Sequence, residues 1–292
     1  MKEQFKPWNP RNKTVELLDK IIEVVEAYQA RGYCLTLRQL YYQLVARDII
    51  PNKVSEYSKL STILGDARLA GLVDWEAIED RTRGPQRPSQ WTDVASLMDS
   101  ALHSFRLPRH SDQPTHIELW TEKDALTSVL KPITNEYHVT LMVNRGYSSL
   151  SAMHDAYERF ERYRSTGMDV MILYLGDHDP SGLDMDRDIE ERLTKMFGTE
   201  IYFERIGLTR EQIDRFNPPP NPAKVTDPRA TGYINEHGKI SWEVDAIRPD
   251  ELDRLVRRHI EDNMDMNRYN ARLDKEKEQK KKLRKIIDET EW

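Results

Sequence analysis

Residues 170–182 read VMILYLGDHDPSG, and this stretch decides the fold that we expect. The apolar run from Val170 to Leu175 is typical of a strand buried in a parallel sheet. Asp177 and Asp179 follow it, and the proline and glycine behind them predict a tight turn. The sequence therefore predicts a buried strand whose carboxyl end presents two aspartates.

Alternating strands and helices continue on both sides of this stretch. We expect one domain over residues 112–292, in which the helical end from Pro249 to Trp292 is an extension. Such alternation predicts an α/β fold with a doubly wound parallel sheet. Strands are predicted at 116–120, 139–143 and 201–206, and helices at 148–164 and 186–196.

Residues 1–111 have a different, helical pattern, and the proline-containing segment from Arg106 to Pro114 separates it from the rest. Helices are expected at 12–30, 36–48 and 55–70, followed by a short strand at Leu72 to Trp75 and a basic stretch at 80–87. This order predicts a winged-helix (helix-turn-helix) DNA-binding domain.

The composition limits the class of protein. Charged residues make up 32% of the 292 residues, and the net charge is -6. No apolar run is long enough for a membrane helix, and the single cysteine excludes an internal disulfide, so we expect a cytoplasmic protein with no membrane partner. We expect contacts to double-stranded DNA from five basic residues, which are Arg38, Lys59, Arg81, Arg83 and Lys123.

Three acidic residues predict a metal site. Glu122 follows the strand that ends near Trp120, and Asp177 and Asp179 follow the strand that ends near Leu175. Ligands of a doubly wound sheet gather at the carboxyl ends of its strands, so these side chains are expected to meet at one edge. Carboxylate oxygens facing DNA predict Mg²⁺, with Mn²⁺ as an alternative.

These acids also have two other interpretations. Asp177 and Asp179 also suit a solvated turn in which an aspartate caps a helix, while Ser181 is the residue expected to cap the helix that follows. An aspartate-nucleophile phosphatase is disfavoured, because no hydroxyl residue stands where that chemistry needs one.

The same residues resemble a known family. The pair Glu122-Lys123 after one strand and DHDPSG at 177–182 after another resemble a Toprim domain, most closely that of the topoisomerase VI A subunit and the related meiotic double-strand-break transesterase. The resemblance implies Mg²⁺ ligands at Glu122, Asp177 and Asp179. The segment SWEVDA at 241–246, followed by Pro249, resembles compact stand-alone proteins of this type from prokaryotes and mobile elements, which implies an association with nucleoid, phage or mobile-element DNA.

The segment LRQLYY at 37–42 resembles the catalytic stretch of the family's winged-helix domain, in which the second tyrosine attacks DNA. Helical spacing places Tyr41 in an apolar stripe with Leu37 and Leu44, whereas Tyr42 lies about 100° away, on the face that carries Arg38. Tyr42 is therefore the predicted nucleophile, on an open face, and Arg38 is expected to stabilise its phenolate and clamp the phosphate.

The resemblance implies a type IIB topoisomerase-like reaction that leaves a 5′-phosphotyrosyl link. It also implies a homodimer in which the tyrosine of one protomer faces the metal site of the other, and strand passage would need a separate ATPase subunit. Two alternatives stay open: a Toprim nuclease that uses metal-activated water, and a winged-helix DNA-binding module that does not cleave.

Overall fold

Three helices open the chain in the computed structural model, which describes residues 2–78, 88–223 and 226–290. They are α1 (Asn12–Gln29), α2 (Leu37–Ala46) and α3 (Val54–Leu69). Thr36 starts α2 with a capping box: its hydroxyl accepts a hydrogen bond from the Gln39 amide, and the Gln39 side chain accepts one from the Thr36 amide. Two of the free amides at the helix start are thereby satisfied.

The strand predicted at Leu72 to Trp75 is wrong. Asp74 instead caps a 3₁₀ turn at Trp75–Ala77 by accepting a hydrogen bond from the Glu76 amide. A single parallel bridge joins Leu35 to Ile78 next to this turn. The apolar side chains of the segment pack into the core of the three helices, and the basic stretch at 80–87 lies outside the described residues.

The second half of the chain is built on a parallel sheet of four strands. After helix α4 (Val94–Ser104) come β1 (Thr115–Thr121), β2 (Thr140–Val143), β3 (Asp169–Leu175) and β4 (Tyr202–Gly207), in the spatial order β2-β1-β3-β4. The predicted mixed α/β class with a parallel sheet is confirmed. The chain runs from β1 to β2 on one side and then crosses back to β3 on the other side of β1. The strand order therefore reverses between β1 and β3.

Helices cover both faces of this sheet, because side chains alternate along each strand. On one face Leu119 and Leu173 pack with α5 (Thr127–Tyr137), and on the other Trp120 and Ile172 pack with α6 (Leu150–Arg164) and α7 (Pro180–Glu191). Each face therefore has its own apolar core.

The remaining elements complete the C-terminal half. The proline-containing segment at 216–238 contains a short strand and a helix, and the helical end predicted from Pro249 divides into two helices. In chain order these elements are α8 (Arg210–Phe216), β5 (Asn221–Pro222), α9 (Ala230–His237), β6 (Ile240–Ser241), α10 (Pro249–Asp262) and α11 (Met266–Glu289). Among the described helices, none combines the length and the apolar character needed to cross a bilayer.

The two halves of the chain are packed against each other. Ala246, from a 3₁₀ turn at Val244–Ala246, belongs to the core of the N-terminal helices. In the other direction, α4 lies before the predicted domain boundary at residue 112 but packs on α11. Each half therefore contributes packing to the other.

A buried ion pair anchors the segment that follows α4. Arg109 lies 2.7 Å from Glu276 of α11, whose carboxylate also accepts a hydrogen bond from the Leu107 amide at 2.8 Å. Although burial acts to raise it, the hydrogen bonds from Arg109, Leu107 and Lys280 lower the pKa of Glu276 from 4.5 to about 2. The ionised form of Glu276 is thus the one that the fold stabilises.

The Glu276→Gln substitution is expected to lower the free energy of unfolding by about 2–4 kcal/mol at neutral pH, because the buried guanidinium of Arg109 loses its counter-charge. The contribution of Glu276 is complete above pH 4.5 and is lost as the pH falls towards 2, so the two proteins should converge in that range. Urea unfolding at several pH values measures this difference. Glu278→Gln is an exposed change on the same helix and should lower the free energy of unfolding by less than about 0.5 kcal/mol. If both substitutions lowered it equally, the ion pair with Arg109 would not be the cause.

Candidate functional site

The structure places Glu122 and Asp177 side by side at the carboxyl edge of the sheet. Glu122 directly follows β1, and its amide donates to the carbonyl of Leu175 in β3 at 3.3 Å. The Asp177 amide donates to Glu122 Oε1 at 3.2 Å. This edge is where the strand order reverses, which is the usual position of ligand sites in open α/β sheets.

Asp177 is held by two further contacts. Its Oδ1 accepts a hydrogen bond from the Val244 amide at 2.9 Å, and its Oδ2 lies 2.6 Å from Lys123 Nζ. Gly182 makes the turn possible, since a Cβ at that position would lie 2.3 Å from the carbonyl oxygen of Asp177. The glycine predicted to form a tight turn is therefore required by close backbone approach.

Asp179 has a different local role. It is the N-cap of α7: its Oδ1 accepts hydrogen bonds from the Gly182 amide at 2.6 Å and the Ser181 hydroxyl at 2.9 Å. The capping role expected for Ser181 thus belongs to Asp179, because Pro180 occupies the first helical position and Ser181 lies inside the helix.

The ligand atoms of Glu122, Asp177 and Asp179 do not all lie within 4.8 Å of one another. Among the described residues, the ligand atoms of His154, Asp155 and Glu158 form the only group of three or more His, Cys, Asp or Glu that lies within 4.8 Å. That group is exposed on α6, and exposed acidic side chains on one helix face are common without an ion. The sheet edge itself brings together Glu122 and Asp177, while Asp179 is engaged at the start of α7.

Glu122 is electrostatically unusual. Its side chain is buried, and its Oε2 has no hydrogen-bond partner among the described residues. Burial, followed by the charge of Asp177, raises the pKa of Glu122 to about 9. Near neutral pH the metal-free site therefore holds this carboxyl in its protonated form.

Glu243 and Asp245 bring a second acidic pair to the site. Arg38 of α2 hydrogen-bonds to Glu243, and its Nε lies 2.8 Å from Asp245 Oδ2. Lys123 Nζ lies 3.2 Å from Glu243 Oε2, so Lys123 links Glu243 to Asp177. Asp245 is completely buried, and burial raises its pKa against the opposing charges of Lys123 and Arg38.

Tyr42 contacts this network through Arg38. The Arg38 Nη2 donates to the Tyr42 hydroxyl at 3.2 Å, and Asn221 Nδ2 donates to the same oxygen at 3.4 Å. The expectation of an open face is wrong, because Tyr42 is only 3% exposed and Tyr41 only 5%. Burial raises the pKa of the Tyr42 phenol, which the charge of Arg38 opposes.

The physical reason is that α2 is covered on more than one side. The spacing of apolar residues identifies the stripe that packs on α1 and α3, but the turn at Val244–Ala246 also packs on α2. Tyr41 donates its hydroxyl proton to Asn52 Oδ1 at 2.9 Å, so both tyrosines have a buried, hydrogen-bonded hydroxyl. The spacing on the helix points the two tyrosine side chains in different directions, and both of these directions lie in the protein interior.

The other residues expected to contact DNA fall into three groups. Arg38 and Lys123 lie inside the carboxylate network. Lys59 lies on α3 with an exposed side chain, 3.4 Å from Glu56. Arg81 and Arg83 lie outside the described residues.

The donor set fits a hard divalent cation. Glu122 and Asp177 each bring a carboxylate to the sheet edge, the Asp177 amide contacts Glu122 Oε1, and Glu122 Oε2 is a buried acceptor that no described group satisfies. Lys123 Nζ already provides a positive charge against Asp177, so a cation bound there must compete with this ammonium group. Glu122 and Asp177 are the residues that would hold the ion.

Sequence reasoning left Glu243 and Asp245 without a role. They lie in a 3₁₀ turn and its approach, where no strand end or helical periodicity marks them. The antiparallel bridge between His178 and Trp242 brings their segment to the sheet edge, and such a long-range pairing has no local signature.

Comparison with known proteins gave no relative: no family model matches the chain, and no curated protein matches its sequence.

Replacing Glu122 by glutamine tests its burial as a neutral acid. The unfolded chain ionises Glu122 near pH 4.5 and the folded chain near 9, so the folded state binds the extra proton and wild-type stability falls as the pH rises between these values. Glu122→Gln removes this penalty and should be more stable than wild type in EDTA, by about 1 kcal/mol or more near pH 8. The exposed change Glu158→Gln should show no such trend in urea unfolding. A Glu122→Gln effect that does not vary with pH would contradict the raised pKa.

Proposed function

We propose that this chain is a metal-dependent DNA-cleaving enzyme in which Tyr42 attacks a phosphodiester and forms a 5′-phosphotyrosyl link. The proposal combines a winged-helix unit with a Toprim-type sheet, as in the topoisomerase VI A family that the motifs at 37–42 and 177–182 resemble. Its substrate is double-stranded DNA, its cofactor Mg²⁺ or Mn²⁺, and strand passage would need a separate ATPase subunit.

The observation that carries the proposal is the position of Arg38. One guanidinium contacts the Tyr42 hydroxyl and the carboxylates of Glu243 and Asp245. Glu243 shares Lys123 with Asp177, so the phenol and the sheet-edge acids belong to one charged network. A nucleophile and a candidate metal site are thus linked within a single chain.

The residues present suit a transesterification. Tyr42 loses its proton as its oxygen bonds to phosphorus, the bond from phosphorus to the 3′ oxygen breaks, and the leaving 3′ oxygen takes up a proton. Arg38 stabilises the developing phenolate and pairs with the phosphate, which is the recognition that a guanidinium performs well. A bound Mg²⁺ would neutralise charge on the phosphate.

The described arrangement is a closed form of such an enzyme. DNA cannot reach a phenol that is only 3% exposed, so the segments that carry Asn221 and Glu243 must move away from α2 before attack. The family resemblance implies a homodimer with the tyrosine acting in trans. In this chain Tyr42 lies next to carboxylates of the same protomer. We propose the dimer because cutting two DNA strands takes two nucleophiles.

The burial of Tyr42 also favours a second candidate, a nuclease that uses metal-activated water. A tyrosine with a raised pKa and two hydrogen bonds has the surroundings of a structural residue. In that case Glu122 and Asp177 would carry the reaction, and the Tyr42 hydroxyl would only pack.

Replacing each tyrosine by phenylalanine separates the two candidates. Tyr42→Phe should reduce cleavage by about 10³-fold or more and remove the covalent adduct, because the attacking oxygen is gone. Tyr41→Phe is the matched control, since it also removes one buried hydroxyl, and it should keep cleaving. Duplex DNA incubated with Mg²⁺ and quenched with denaturant shows both cleavage and adduct. Wild-type cleavage by Tyr42→Phe, together with no adduct in wild type, would instead establish the water-using nuclease.

The metal site can be tested without measuring cleavage. Mg²⁺ should raise the Tm of the wild-type chain, because an ion bound only by the folded state stabilises it. The increase should disappear in Asp177→Asn, which removes a carboxylate charge at the sheet edge. Glu158→Gln, from the exposed group on α6, should keep the full increase; its loss there would move the metal site away from the sheet edge.

A further inference from the structure

A basic cavity lies between α4 and α11, away from the carboxylate network. It has a volume of about 470 Å³ and is formed by residues from two parts of the chain. The lining residues are Leu102, His103, Arg106, Lys280, Lys281 and Arg284. Five of the six carry basic side chains.

The positive charge of this cavity is only partly neutralised. Asp99 lies 3.0 Å from Arg284, and Glu276 lies 3.0 Å from Lys280 but also pairs with the buried Arg109. Within the described parts of the chain, no carboxylate lies within ion-pair distance of Lys281 or Arg106. In a protein of net charge -6, this local excess points to an anionic ligand.

Arg106 is fixed in place at the cavity. Its Nη1 donates to the carbonyl oxygens of His103 and Phe105, both at 2.8 Å, at the end of α4. These bonds hold the guanidinium without cancelling its charge. A cation held in this way loses little conformational freedom when it binds an anion.

The cationic residues of α11 form a row. Lys277, Lys281 and Arg284 follow the i, i+4, i+7 spacing of one helix face, which spans about 10 Å along the axis. Lys281 and Arg284 line the cavity, while Lys277 lies beyond it and pairs with Asp274 at 3.0 Å. Helix α11 carries nine basic and five acidic residues in all. A row of this length matches a polyanion with regularly spaced charges better than a single small anion.

We propose that the cleft between α4 and α11 binds the phosphate backbone of double-stranded DNA. This contact is separate from the site at the sheet edge, and it rests on the proposed function in so far as DNA is the substrate. Because the cationic side chains contact phosphates, the cleft positions DNA and does not read its sequence.

A pair of double variants tests this proposal. Arg106→Gln with Lys281→Gln removes two charges that line the cleft, whereas Lys282→Gln with Lys285→Gln removes two charges of α11 that do not. Fluorescence anisotropy of a labelled duplex, measured over a range of salt in EDTA on a Tyr42→Phe background, gives binding without cleavage. The cleft variant should lose roughly tenfold in affinity, and its salt slope should fall by about 2. The control pair should stay within about twofold.

This binding experiment tests the cleft independently of the cleavage reaction. A specific loss in the cleft variant supports the DNA contact whether Tyr42 or water attacks. Equal losses in both double variants, or unchanged affinity in the cleft variant, would overturn it. The proposal would also be overturned if the cleft variant lost binding to phosphatidylserine vesicles but kept its affinity for the duplex. It would likewise be overturned if the wild-type chain did not bind the duplex at all.

Discussion

The guanidinium of Arg38 contacts Tyr42 on its own helix and a carboxylate that lies 205 positions later in the chain. Together with Lys123 it pairs with three carboxylates, which come from the end of β3 and from the segment after β6. A buried carboxylate that loses its partner costs several kcal/mol, so these segments cannot drift apart independently. Charge compensation therefore fixes α2 against the sheet edge, and the apolar packing of Ala246 supports the same contact.

This compensation also defines what a ligand must do. Lys123 and Arg38 already pair with the carboxylates of Asp177, Glu243 and Asp245, so a cation or phosphate that binds there must displace one of these partners. Binding of a divalent ion would release Lys123 from Asp177, and binding of a phosphate would compete with Glu243 for Arg38. In the proposed reaction, the described arrangement and the DNA-bound form are then alternatives that share the same cations.

Much of the fold is accessible from sequence because its signals are local. The apolar run at 170–175 and the capping residues of the helices predict their own conformation, and strands of a parallel sheet end at a common edge. Glu122 and Asp177 were placed together by that rule. Asp179 lies beside them at the start of α7, where its Oδ1 caps the helix, and residue type alone does not reveal this second role.

The features that sequence did not predict depend on distant contacts. Tyr42 is buried by a turn from the other end of the chain, and Asp245 lies in the site because a bridge between His178 and Trp242 brings its segment there. The highly charged sequence of α11 does not indicate a partner, yet the helix packs on α4 and forms a cleft with it. In each case the partner lies far away in sequence, where periodicity and spacing give no information.

The packing of α4 on α11 has a consequence for how the protein is made. Asp99 and Arg284 pair across 185 positions, so α4 leaves the ribosome long before its partner helix has been translated. Until α11 emerges, the apolar side of α4 and the Arg109 guanidinium have nothing to pack or pair with, and chaperones recognise such exposed surface. Helix α11 therefore completes the packing of α4, and a chain that stops before residue 266 would leave α4 without this neighbour.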